Sequence, residues 1–150
     1  MNLEELIKNI TNHLQTNKDL SYATHYLEEY NTNEWMDKVY FDSNNKYTRN
    51  LLYRDGNFEI FVICWNPNEE SKIHNHSNRG CLMKTLQGEL LNEVYTKNLK
   101  LLNIGHIYKG NVKYIHDNIG YHKIVNGNHG TISLHIYSPP RFIATTFSKI

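Results

Sequence analysis

The chain has 150 residues and a formal net charge of +1, and no run of Lys or Arg exceeds two residues. That length suits one domain able to bury about two-thirds of its unfolded surface. The charge leaves no electrostatic footprint for nucleic acid or an anionic membrane. The opening MNLEELIKNITNHL carries acids early and has no apolar core segment, so no secretory signal is expected, and no stretch approaches a membrane span. Without such a signal, Cys64 and Cys81 are expected as reduced thiols in a cytoplasmic protein.

Leu3, Leu6, Ile7, Ile10 and Leu14 recur at helical spacing, as do Leu20, Ala23, Tyr26, Leu27 and Tyr30. They predict helices over 3–14 and 19–30. Residues 34–40 predict one more short helical turn, entered through Asn33 as a possible N-cap. From about residue 45 the period drops to two. Strands are predicted near 47–54, 58–65, 72–76, 81–87, 89–95, 99–107, 112–116, 121–126, 131–137 and 141–147. Turn signals separate them, among them the hairpin dipeptide Asp55-Gly56, Asn66-Pro67-Asn68 and Gly127-Asn128. Many short strands with regular turns predict a sandwich or a closed barrel. The chain therefore reads as mostly β, with a small helical cap over 1–44 and a single β-barrel over 45–150.

Ile73-His74-Asn75-His76 is the first segment that could carry chemistry. Residues two apart on a strand point to the same face, so His74 and His76 can grip one metal together. His122, just after Gly120-Tyr121 at the start of another strand, can supply a third ligand. Neutral imidazoles suit Fe, Zn, Cu and Ni, and three protein ligands leave positions open, as a catalytic metal needs. The plainer reading of any one histidine is a solvated or hydrogen-bonded ring. No Asp or Glu sits where a fourth ligand would be expected; Cys81 follows the pair instead.

Ser133, His135 and Tyr137 alternate with Ile132, Leu134 and Ile136. In an open sheet the polar face would simply be wet. In a small barrel it would point inward, where polar groups must find partners or serve a site. A Ser–His–Tyr row is then a hydrogen-bond chain that orients the phenol. A serine-hydrolase reading fails for want of a nucleophile elbow. Tyr47 and Arg49 also share a face, and Arg suits bidentate recognition of a carboxylate, although a surface Arg on an edge strand would look the same.

Taken together, YTRNLLYRDGNFEIFVICW (47–65), IHNHSNRGCLMKTLQGEL (73–90), YIHDNIGYHKIVN (114–126) and TISLHIYSPP (131–140) resemble the cysteine dioxygenase type I family, thiol dioxygenases of the cupin superfamily. The resemblance implies a cupin-type β-barrel, or jelly roll. The usual first cupin motif carries an acid four or five residues after its second His; here those places hold Gly80 and Cys81, and the usual Gly follows as Gly88. By resemblance, His74, His76 and His122 would hold Fe(II), and Arg49 would bind the substrate carboxylate with Tyr47 beside it. Cys81 would form a thioether with Tyr137, and Ser133–His135–Tyr137 would be the orienting row. The Ser138–Pro139 bond would be cis. Gly80 stands where animal members often carry a His, and Cys81 where many bacterial relatives have Gly. The chain is shorter than typical animal members and is expected to lack their C-terminal extension.

The implied reaction takes L-cysteine and O2 to cysteine sulfinic acid, one step up the thiol oxidation ladder. A thiolate is a soft anionic ligand and supplies charge that a protein carboxylate would otherwise bring. A monomer with no nucleic-acid or membrane partner is expected. Arg49 suits any carboxylate, so 3-mercaptopropionate or another small thiol carboxylate stays open as substrate. A non-enzymatic cupin that binds a metal is the reading from a different class.

Overall fold

Asn2 opens the first helix, α1 (Leu3–Thr16). Its side chain accepts from Glu5 N at 2.9 Å while Glu5 Oε1 accepts from Asn2 N at 3.2 Å, a reciprocal box that satisfies two otherwise orphan donors. The computed structural model describes residues 1–148. The second predicted helix shrinks to α2 (Thr24–Glu29). The physical reason is Asp19, whose carboxylate accepts from Ser21 N at 3.0 Å and Ser21 Oγ at 2.6 Å and so holds residues 19–21 in a turn. Glu34–Lys38 is a 3-10 turn, and Asn33 before it makes no side-chain cap bond.

Ten strands follow: β1 (Tyr47–Arg54), β2 (Glu59–Trp65), β3 (Ile73–His74), β4 (Cys81–Gln87), β5 (Glu89–Tyr95), β6 (Leu101–Tyr108), β7 (Val112–Ile115), β8 (Tyr121–Asn126), β9 (Thr131–Tyr137) and β10 (Thr146–Phe147). They form two five-stranded antiparallel sheets, ordered β1-β2-β9-β4-β7 and β10-β3-β8-β5-β6. Two predicted strands are cut short. The 72–76 strand stops at His74, because Asn75 and His76 turn to bond Thr145 and Asp117. The 141–147 strand is only Thr146–Phe147, since Arg141 adopts φ 64°, outside the extended region.

The Asp55 carboxylate shapes the β1–β2 hairpin by accepting from Asn57 N at 2.7 Å and Phe58 N at 3.0 Å. β1 carries a bulge between Leu51 and Tyr53. Before it, the odd-numbered Tyr47 and Arg49 line the space between the sheets. After it, Tyr53 packs under the helices and Arg54 lies beside Glu59, its cross-strand partner. The extra residue has re-aimed the side chains beyond it.

The first sheet is covered on both faces. Outside, Ile60, Leu82, Leu134 and Ile136 pack beneath Leu6, Ile10, Leu14, Leu20 and Leu27 of the helical region. Inside, Phe61, Ile63, Trp65, Met83 and Ile115 meet Val94, Ile107 and Ile124 of the strands opposite. Burying each such side chain contributes about 1.5–3 kcal/mol. Lys84, buried on β4, donates from Nζ to Leu27 O (3.0 Å), Glu28 O (3.2 Å) and Tyr30 O (2.6 Å), which satisfies the open carbonyls at the end of α2 and fastens it to the sheet. Among the described residues the second sheet has no such cover, and Leu101, Leu102, Ile104 and Tyr108 of its edge strand β6 are exposed. Cys64 and Cys81 are both buried free thiols, as expected.

Candidate active site

A cavity of about 260 Å³ opens between the sheets. On its second-sheet wall, His74 of β3 lies directly across from His122 of β8, and His76 stands two residues after His74. The ring centroids are 4.7 Å (His74–His122), 4.4 Å (His76–His122) and 5.2 Å (His74–His76) apart. One ring nitrogen from each falls within 4.8 Å of the others.

The other nitrogens define the tautomers. His74 Nδ1 lies 2.7 Å from Lys72 O, His76 Nδ1 lies 3.1 Å from Asp117 Oδ1, and His122 Nδ1 lies 2.7 Å from Asn92 Oδ1. Each Nδ1 faces an oxygen acceptor and so carries the proton, which leaves the Nε2 lone pairs pointing at one another. The Nε2 atoms of His74 and His122 are 3.1 Å apart, and buried His76 Nε2 has no hydrogen-bond partner among the described residues. Three converging lone pairs repel unless a cation lies between them, so this donor set fits a metal ion. Burial pushes all three imidazoles below their ordinary value, His74 to about 4, which keeps them neutral as ligands must be.

The first-sheet wall carries the other predicted residues. Cys81, first on β4, and Tyr137, last on β9, are cross-strand partners. Burial raises the Cys81 thiol and the Tyr137 phenol well above their usual ranges, so both are neutral. The predicted polar row is continuous: Ser133 Oγ is 2.8 Å from His135 Nε2, and His135 Nδ1 is 3.2 Å from Tyr137 Oη. Both faces of β9 are buried, so this polar face is not wet; the apolar face lies beneath the helices. Burial, then Arg49, lowers His135 to about 3. Arg49 holds its guanidinium 4.4 Å from the Phe61 ring centroid and 5.5 Å from that of Tyr137. Arg49 is exposed at the cavity mouth, and Tyr47 beside it packs on Trp65 at 4.5 Å. The Ser138–Pro139 bond that follows Tyr137 is cis.

Four residues of the site were not singled out from sequence. Asn92 holds His122, and Asp117 holds His76 through both its ring and its backbone N–H (2.9 Å). Trp65 Nε1 donates to Ser133 Oγ at 2.9 Å and begins the polar row. Arg79 sits in the turn between His76 and Cys81. It donates to Leu14 O (2.7 Å), Asn17 O (2.7 Å) and Lys18 O (3.0 Å) at the end of α1, while its backbone N–H donates to Ser138 O at 2.8 Å. Asn92 did leave a signal. Leu90, Asn92 and Val94 share the inward face of β5, and a polar residue between two core residues needs an internal partner. Gly80, which closes the same turn, has φ 88° and leaves room for the Tyr114 ring 2.6 Å from where a Cβ would lie.

Comparison by fold places this architecture among the cupin-type, double-stranded β-helix proteins. A Klebsiella pneumoniae protein described as having a double-stranded β-helix domain superposes with TM-score 0.64 at 16% identity, over 81% of this chain and 94% of its own. A cupin-2 domain protein from Rhodospirillum rubrum gives 0.58 at 13% identity, over 74% of each chain. At such identities only the fold is shared. The family model for cysteine dioxygenase type I matches residues 1–150. Cysteine dioxygenase type 1 of Danio rerio is 32% identical over 98% of this chain and 79% of its own length, and that of Homo sapiens is 36% identical over 71% and 58%. The chain belongs to the cysteine dioxygenase type I family; its match spans less than two-thirds of the human relative.

Proposed function

We infer that this chain is a thiol dioxygenase that oxidises L-cysteine with O2 to cysteine sulfinic acid. The observation that carries the reading is one cavity with three neutral histidines on one wall and Arg49 and Tyr137 on the other, Cys81 being the cross-strand partner of Tyr137. His74, His76 and His122 would hold the metal, which we take to be Fe(II). When bound, that ion supplies open coordination positions and the redox chemistry that joins dioxygen to a thiolate. Arg49 pairs with the substrate carboxylate at the cavity mouth and, with Tyr47 beside it, sets the distance between that end and the sulfur. Trp65, Ser133 and His135 hold the Tyr137 phenol at a fixed angle over the cavity. The buried His135 ring stays neutral at working pH, so the row orients without adding charge.

The cross-strand pairing of Cys81 with Tyr137 supports a thioether between them. A carbon–sulfur bond would form between the Cys81 thiol and the ring carbon beside the Tyr137 hydroxyl. The thiol hydrogen and one ring hydrogen are lost, and two electrons pass to dioxygen. The chemistry needs iron and oxygen, so fresh protein should be a mixture that converts on incubation with cysteine and iron. Peptide mass spectra showing a linked Cys81–Tyr137 peptide two hydrogens lighter would establish the bond. Cys81→Ala should weaken turnover without abolishing it. No described helix is long and apolar enough to cross a membrane, and the two unpaired thiols support a place in a reducing cytoplasm. The deciding experiment is oxygen uptake by iron-loaded protein across a panel of thiols. Uptake with L-cysteine and sulfinate as product supports the reading. Faster uptake with 3-mercaptopropionate would reassign the substrate, and none with any thiol would leave a metal-binding cupin.

A further inference from the structure

Arg49 and Arg54 stand on the same strand, and both reach over the ring of Phe61, at 4.4 and 5.9 Å from its centroid. Glu59 lies two residues before Phe61 on β2 and lines the same cavity as Arg49. The Glu59 side chain is 3% exposed, so its carboxylate cannot escape to water. A buried, ionised carboxylate needs a charged partner, and the neighbouring strand offers two guanidinium groups, those of Arg49 and Arg54. It pairs with Arg54: Arg54 Nε donates to Glu59 Oε1 at 2.8 Å, and Arg141 N donates to Oε2 at 3.1 Å. No carboxylate among the described residues lies within ion-pair distance of Arg49. The β1 bulge makes the choice possible, because an unbroken strand would leave residue 54 facing away from residue 49.

We propose that Arg54 is a specificity-determining positioning residue: it holds the buried Glu59 carboxylate and so keeps Arg49 open for the carboxylate of the substrate. Glu59 is then an internal rival of the substrate, with the same charge and the same preferred partner. The proposal rests on the reading of Arg49 as the carboxylate-binding residue.

The test is anaerobic calorimetric titration of the iron-loaded protein with L-cysteine, alongside steady-state oxygen uptake. Arg54→Ala releases Glu59 onto Arg49 and should weaken L-cysteine binding about five- to tenfold, with kcat changed by less than about twofold. Cysteamine, which has no carboxylate, should bind the variant and the unaltered protein alike. The second change Glu59→Gln removes the rival charge and keeps an oxygen for Arg141 N. The double variant R54A/E59Q should therefore recover binding to within about twofold, which a merely structural loss would not do. Unchanged binding by R54A, or a double variant as weak as R54A, overturns the proposal. If R54A does not fold, E59Q alone decides. It should bind L-cysteine at least as tightly as the unaltered protein, and weaker binding would show that Glu59 serves the substrate rather than competing with it. Arg49→Ala separates the two levels. Unchanged binding by that variant would remove the carboxylate reading itself, whereas weakened binding beside a normal R54A removes only the role of Arg54.

Discussion

The two walls of the cavity are built on opposite principles. The second-sheet wall holds three neutral rings, each kept in place by one oxygen behind it, and its outer face is open to solvent. The first-sheet wall holds a guanidinium, a thiol, a phenol and a hydrogen-bonded row, and its outer face is roofed by helices. A metal needs few atoms placed with polar partners. A phenol and a guanidinium aimed at an organic molecule need a stiff sheet, which buried packing on both faces provides. Damage to one wall should therefore be distinguishable from damage to the other.

The largest effect is expected from His122→Ala, which should lose both iron and turnover, whereas Tyr137→Phe should lose turnover and keep its iron. Metal analysis of the purified variants reads this directly, and near-stoichiometric iron in His122→Ala would merge the two walls again. Next comes Leu134→Ala, beneath the helical roof. It should cost about 2–5 kcal/mol in a denaturant titration and leave the iron content intact. Asn92→Ala should weaken metal binding about ten- to a hundredfold, with no comparable loss of fold stability, because it frees the back of one ring only.

The gentlest effect is graded with pH and involves one ring from each wall. His74 is depressed to about 4 and His135 to about 3, from an ordinary value of 6.5. In the metal-free protein both stay neutral when folded and take up a proton once unfolded. The unfolded state thus binds more protons, so stability is full above about pH 6.5 and declines as the pH falls. The contribution of His74 should be spent near pH 4 and that of His135 near pH 3. Urea titrations of metal-free protein at stepped pH, with His135→Gln beside the unaltered chain, would show whether the slope belongs to these rings.

How far the sequence discloses this site differs residue by residue. His74, His76 and His122 are legible because the HxH spacing and a third His at the start of a strand point to one metal, although only His74 and His122 prove to lie on strands. The Ser133–His135–Tyr137 row is legible by alternation alone, yet whether that face is wet depends on a helical roof that no local pattern shows. The Asp19 turn that shortens the second helix, and the departure of Asn75 and His76 from their strand, come from side chains bonding backbone, which overrides periodicity. Asp117 and Arg79 lie in turns, where period-two reading has nothing to say. Glu59 stands at the head of an apolar strand, and only its pairing across a bulge gives it a meaning.

The three carbonyl bonds made by Arg79 have a dynamic consequence. The guanidinium grips the end of α1, while the backbone of the same residue holds the exit from Tyr137. Fraying of the helix end and loosening of the turn that leads into Cys81 are therefore expected to be one cooperative opening rather than two. In hydrogen exchange, the amides of Arg79, Gly80 and Ser138 should open together with the last turn of α1. A helix that touches no part of the chemistry thereby sets how long the thiol and the phenol stay in register.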